Sequence, residues 1–304
     1  MKILFKILPN LLVFSCVVFL FASCEEGTTK DNQTSGSIKI SIDETYKPVM
    51  EEQLKIFSSR FPNATIKAEY KPEADCFKDF FEDTTRVIFV TRELTEEEKS
   101  YCTSKQMVFK SLPMARDAIA FITSKNFKNP NFKYTEMKDI LAGKSSTQDL
   151  QVVFDNKASS TVRYINDSML KGQALSKNVF ATTNSEEVIN YVASNDKAIG
   201  VIGVSWVADH ADSTTELFLQ KVQVAGIWPD NDSIMDYIRP YQAYIGLKSY
   251  PCTRNFYFIS KESWTGLGTG LVNYLCRDGQ LVFKQAKMFP LQVNVLLREA
   301  NVNQ

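Results

Sequence analysis

Charge of one sign is the first thing this chain lacks: its 304 residues carry 35 basic and 35 acidic side chains. Nucleic-acid binding draws on a basic surplus that releases counterions from phosphates, and the composition offers none. Histidine is almost absent. The single His210 stands in the polar run Ala208-Asp209-His210-Ala211-Asp212, with no ligand partner near it, and reads as solvated. No C-x-x-C pair occurs, so the spacings of structural zinc are missing and neither a metal nor another cofactor is expected. The Ser-centred G-x-S-x-G turn of hydrolases is absent too, and enzyme chemistry is not expected. After the N-terminal segment no apolar run is long enough to cross a bilayer, and no internal repeat is visible.

What is present begins with an export signal. Lys2 and Lys6 form a basic start, Leu11 to Phe21 is a short apolar core, and Phe21-Ala22-Ser23-Cys24 supplies small residues for cleavage. A cysteine directly after Ala-Ser, followed by Glu25-Glu26, resembles the lipobox of bacterial lipoproteins, with Phe21 in place of the usual leucine. That resemblance implies cleavage before Cys24, lipidation of its thiol and an anchor on the periplasmic or extracellular face of the cell envelope. Residues 24–36 hold almost no apolar side chain and read as a flexible tether. Signal removal takes Lys2 and Lys6 away from the 35 basic residues, which leaves a net charge near −2. About 280 residues then suffice for one large domain or two lobes.

The remaining cysteines, Cys76, Cys102, Cys252 and Cys276, belong to an exported chain in which disulfides persist. Nearness in sequence suggests Cys76–Cys102 and Cys252–Cys276, with buried free thiols as the competing reading; four cysteines allow three connectivities.

Along the chain, apolar periodicity alternates between strands and helices. Residues 37–42 and 64–70 read as strands flanking a helix that Pro48 opens and Phe61-Pro62 closes, a βαβ unit that implies parallel pairing. A helical stretch around residues 76–81 precedes the buried strand 86–90, and Thr95 with Glu98 forms a capping box. Residues 117–123 form a strongly apolar strand and 135–141 a short helix. Strands are expected over 150–154, 198–204, 222–227 and 255–259, with helices over 162–170, 185–192 and 266–276. In 198–204 two glycines, Gly200 and Gly203, point to a close backbone approach. The class is α/β.

One stretch carries chemistry. Strand 150–154 runs into Asp155-Asn156-Lys157-Ala158-Ser159-Ser160-Thr161, and a helix follows. Hydroxyls, free backbone N–H groups and the positive end of a helix dipole converge there, as an anion site requires. An ordinary Ser/Thr cap has the same signature.

Taken together, Thr91-Arg92-Glu93-Leu94, Asp117-Ala118-Ile119-Ala120-Phe121, Ala198-Ile199-Gly200-Val201, Tyr250-Pro251-Cys252-Thr253-Arg254 and Gly279-Gln280 before Pro290 resemble the substrate-binding proteins of phosphate ABC transporters. These are type 2 periplasmic binding proteins. The resemblance runs from about Ser37 to Arg298. It implies two α/β lobes with mostly parallel sheets flanked by helices: residues 37–124 and 254–304 in the first, 125–253 in the second. Two hinge crossings, 117–123 and 255–260, would join them and a ligand would be enclosed between. It also implies a monomer that delivers phosphate or a related small oxyanion to an ABC permease. Carried over position by position, the ligand set is Thr45, Thr91, Ser159, Ser160 and Thr161. Arg163 is the candidate substitute for the family's loop arginine, whose place Asp155 takes. The first loop has become Asp43-Glu44-Thr45-Tyr46, and the second, Pro72-Glu73-Ala74-Asp75-Cys76, has lost its Gly-Ser-Gly. Arg86 stands where an Asp precedes the buried strand. A retained fold with a different ligand, or an accessory or sensory role, is therefore the alternative.

Overall fold

The structure, a computed structural model, describes residues 30–83, 85–145, 149–207, 218–230 and 235–292. The signal, Cys24 and His210 lie outside the described residues. All that follows concerns the compact unit Asn32–Gln304.

The first strand, β1 (Gly36–Asp43), is buried over its last four residues and pairs with β2 (Ala64–Lys71), with α1 (Lys47–Arg60) crossing over between them. The pair is parallel, as a βαβ crossover demands. Pro48 sits in the first turn of α1, where its missing N–H costs nothing, and Val49, Met50, Gln53 and Phe57 form the buried face. Helix α2 (Glu73–Phe81) leads to β3 (Val87–Val90), buried at every position. Helix α3 (Glu96–Ser104) starts with the expected capping box: Glu98 N donates to Thr95 Oγ1 (3.2 Å) and Thr95 N to Glu98 Oε2 (2.8 Å).

The next strand, β4 (Lys110–Ser124), is longer than its apolar stretch suggests, because its first four residues alternate between exposed and half-buried. It serves two sheets. Residues 110–118 pair antiparallel with the returning strand near the C-terminus, and 119–124 with strands of the second half. That half comprises β5 (Asn131–Lys133), α4 (Tyr134–Leu141), β6 (Gln151–Phe154), α5 (Ser160–Tyr164), β7 (Val179–Ala181), α6 (Ser185–Ala193) and β8 (Ala198–Gly203). Beyond α5 the helix widens into a π turn, Ile165–Leu170.

The segment expected as one strand over 222–227 is two. β9 (Val222–Val224) pairs with β4, whereas β10 (Gly226–Trp228) pairs with β5 in a separate two-stranded sheet. The break falls where Gly226 passes Asn131: a Cβ there would stand 2.5 Å from Asn131 Oδ1. After α7 (Gln242–Gly246), β11 (Thr253–Ser260) returns to the first sheet between β3 and β4. Helices α8 (Leu267–Leu275) and α9 (Gln280–Gln285) and the short β12 (Phe289–Pro290) complete it. Pairing is parallel on the flanks of both sheets and antiparallel along β4 and β11, the strands that pass between the halves.

The two glycines of β8 answer to two neighbours. A Cβ on Gly200 would meet Ile122 and Val188 at 2.7 Å, and one on Gly203 would stand 3.2 Å from the Thr45 carbonyl and 3.3 Å from Arg254 Nη2. Gly203 thus lets the first loop and a guanidinium approach the second sheet. The suggested disulfides are not formed: Cys76, Cys102, Cys252 and Cys276 are free thiols, the first three buried in apolar cores. Arg86 has its own structural use. It pairs with Glu262 (3.3 Å) and lies over the Trp264 ring, while Glu262 caps α8 through Gly268 N and Thr269 N.

Candidate functional site

Where β1 ends, the chain turns through a single 3-10 turn, Glu44–Tyr46, capped by Asp43 Oδ1 accepting from Thr45 N (3.1 Å). Across the seam, β6 ends at Phe154 and the loop folds back on itself. Ser159 Oγ accepts from Val162 N (3.3 Å) as the cap of α5, and Thr161 Oγ1 donates to Asp155 Oδ1 (2.5 Å). Asn156 N also donates to that oxygen (2.9 Å). Sequence reasoning gives the cap and misses its inward bond to Asp155.

Between these loops lies Arg254 of β11, 6% exposed. Its Nε donates to Asp117 Oδ2 (2.9 Å), Nη1 to Ser160 Oγ (2.7 Å) and Nη2 to Thr45 Oγ1 (3.2 Å). One guanidinium therefore ties both passing strands to a hydroxyl from each half, and the two hydroxyls stand 3.5 Å apart. Burial works against its charge, but Tyr46, Asp117 and Asp43 more than offset that, so Arg254 is held above the ordinary arginine range. The sequence places Arg254 in a matching motif without marking it as the hub.

The acids respond in the opposite direction. Burial, then the charge of Glu73, pushes Asp43 up to about 7 against the pull of Arg254. Burial, then Asp155, pushes Glu44 up to about 8, although Ser185 donates to it twice, from N (3.2 Å) and Oγ (3.0 Å). Asp155 is raised by burial, with Ser159 and Thr161 hydrogen bonds opposing. Ser185 is free for this contact because Asn184, the true cap of α6, takes Glu187 N on its Oδ1 (3.0 Å).

A cleft of about 310 Å³ opens beside this cluster, lined by Asp43, Glu44, Lys47, Asp155, Ser159 and Trp206 among others. Of the expected ligand residues, Ser159 reaches its wall. Thr45, Ser160 and Thr161 are buried next to it, held by Arg254 and Asp155. Thr91 and Arg163 form a separate group. Glu73 Oε1 accepts from Thr91 N (2.7 Å) and Oγ1 (2.6 Å), and Arg163 donates from Nε to Glu73 Oε2 (2.6 Å) and from Nη2 to Thr91 Oγ1 (2.6 Å). Arg163 lines an adjoining hollow with Glu73 and Arg92, not the cleft, so it does not stand in for the missing loop arginine. Its stem is one turn into the helix, and Glu73, from the loop that matched nothing, is there to receive it. Asp155 is the group that meets the cleft. Among the described residues no cluster of His, Cys, Asp and Glu is fit to hold a metal.

A family model described as the PBP superfamily domain matches residues 27–278. The phosphate-binding protein PstS of Staphylococcus aureus is 19% identical over 221 residues, 69% of this chain and 67% of that protein. Protein SphX of Synechocystis is 29% identical over 109 residues, and that match spans 36% of this chain and only 32% of SphX. Among solved structures, a Clostridium perfringens protein assigned as a phosphate ABC transporter substrate-binding protein, with bound phosphate, superposes with a TM-score of 0.70. It is 22% identical, and the match covers 84% of this chain and all of that one, a likeness of fold.

Proposed function

From membership of the PBP superfamily, to which this chain belongs, we infer an extracytoplasmic substrate-binding protein that closes two lobes on phosphate or a related small oxyanion for ABC-type import. Strand pairing supports lobe boundaries near Ala118 and Thr253, within a few residues of the boundaries expected at 124 and 254. One observation carries the ligand class: Ser159, the cap of α5, lines the cleft together with Lys47 and with Trp206, whose buried Nε1 has no partner among the described residues. A hydroxyl, an ammonium and an indole N–H can all donate, and an oxyanion supplies acceptors to all three. The nearby Arg254 guanidinium adds favourable charge without contact. Export, the Cys24 lipid anchor, the monomeric state and the permease partner belong to the same proposal, and the neighbour's assignment to a phosphate ABC transporter supports its transport part. Cys24→Ser should release the protein from membranes, as fractionation would show.

Calorimetric titration with phosphate tests the ligand. Binding in the micromolar range, about −8 kcal/mol, is expected. Absence of heat, with an unmoved melting temperature at millimolar phosphate, rejects the reading. Ser159→Ala with Thr161→Ala should abolish binding by removing a cleft hydroxyl and freeing Asp155.

The second reading, a binding-protein fold with another ligand or a sensory task, is favoured by Asp43 and Asp155 on the cleft. An ionised carboxylate about 4 Å from a dianion costs several kcal/mol at an effective dielectric near 20. A thermal-shift screen in which neutral or cationic compounds stabilise and phosphate does not would select it.

A further inference from the structure

The cleft wall presents two opposite kinds of unsatisfied polar atom. Asp43 and Asp155 are 0% and 1% exposed and both line the cleft. Each commits Oδ1 to its own loop, Asp43 to Thr45 N and Asp155 to Thr161 Oγ1 and Asn156 N. Each leaves Oδ2 buried without a hydrogen-bond partner among the described residues. Glu44 and Glu186 add two more carboxyl groups to the same wall. Burial favours the protonated form of Asp43 and Asp155, and a cation at their free oxygens offsets that by favouring the ionised form, which only accepts; this side therefore calls for a ligand that donates and carries positive charge. Trp206 calls for the reverse. It lines the cleft at 4% exposure, and its Nε1, which can only donate, has no partner among the described residues.

The amines of the wall are Lys47 and Lys71, the latter already bound to Glu69 and Asp79 at 2.6 Å each. Tyr70 and Trp206 supply aromatic surface, against which an ammonium ion is attracted. The volume of about 310 Å³ is that of roughly ten liquid waters at ~30 Å³ each, more than a bare tetrahedral anion fills.

We propose that this cleft takes a small zwitterion: a phosphonate or phosphomonoester whose short chain ends in a primary ammonium. The ammonium meets the free Oδ2 atoms of Asp43 and Asp155, and the oxyanion meets Ser159, Trp206 Nε1 and Lys47. This rests on the oxyanion reading above and narrows it. A free phosphate ion has only its own protons to offer two carboxylates, whereas an ammonium brings three donors and a compensating charge.

Four probes titrated calorimetrically into the purified protein decide it: 2-aminoethylphosphonate, ethylphosphonate, inorganic phosphate and ethylamine. The aminated phosphonate should bind at least about tenfold tighter than ethylphosphonate or phosphate. Asp155→Asn, similar in shape but uncharged, should bring the ratio to within about threefold by weakening the aminated probe relative to the plain anions. Equal or tighter binding of phosphate or ethylphosphonate overturns the zwitterion and leaves oxyanion capture standing. Ethylamine binding as tightly as 2-aminoethylphosphonate overturns the oxyanion arm. Binding of none of the anions overturns both this inference and the reading beneath it. The wild-type comparison stands even if the variant fails to fold.

Discussion

At the scale of single residues, the site is a competition between one buried guanidinium and several buried carboxyls. Removing Arg254 would strand Asp117, fully buried with one oxygen already unpartnered. Arg254→Met should therefore destabilise the protein by about 3–5 kcal/mol in urea unfolding. Arg254→Lys should recover little, since one ammonium cannot reproduce the three-way fork to Asp117, Ser160 and Thr45. The raised acids give stability a definite sign with pH. Asp43 keeps its proton in the fold to about pH 7, while in the unfolded chain it ionises near 3.8. Between those values the unfolded state has shed a proton that the folded state retains, so stability falls as pH rises. Glu44 carries the same trend from 4.5 to about 8. Each group contributes a slope of up to about 1.4 kcal/mol per pH unit inside its window. Melting temperature should drop from about pH 5 to about pH 8, and Asp43→Asn should flatten the lower part of that decline.

Among the elements, those set by local chemistry were legible in sequence. Pro48, the Thr95–Glu98 box and the short helix over 135–141 are local features that the structure keeps. Thr95→Ala should cost about 1 kcal/mol, read as a lowered urea midpoint. Elements set by neighbours were not legible. β4 extends seven residues before its apolar run because β11 pairs along it, and 222–227 divides because two different sheets claim its halves. The glycines of β8 were marked as close approaches, and packing shows to what. Gly200→Ala pushes into Ile122, Val188 and Val192 and should destabilise by about 1–3 kcal/mol without affecting the cleft.

For the whole molecule, function depends on how the lobes meet. The Glu73–Thr91–Arg163 group joins the loop after β2, the end of β3 and α5 across the seam, and Glu44–Ser185 does so at another point. Hinge closure in such a fold is biased by contacts of this kind. Arg163→Ala leaves Glu73, 2% exposed, with Thr91 alone, a loss of about 1.5–3 kcal/mol from the arrangement in which these groups meet. Small-angle scattering without ligand should then show a larger radius of gyration than wild type, and saturating ligand should restore it.

The sequence by itself determined the α/β class, the superfamily pattern and the Ser159-Ser160-Thr161 helix start, because periodicity, capping and motif order are local or ordered along the chain. By resemblance it also set Asp155 at the position where the family carries an arginine. Only the tertiary structure decided what that replacement means. Arg163 turns away to Glu73, Arg254 arrives from a strand about 90 residues downstream, and Asp155 meets the cleft with an oxygen to spare. Those outcomes depend on which side chains, distant in sequence, share a low-dielectric space, where the charge of each depends on its neighbours.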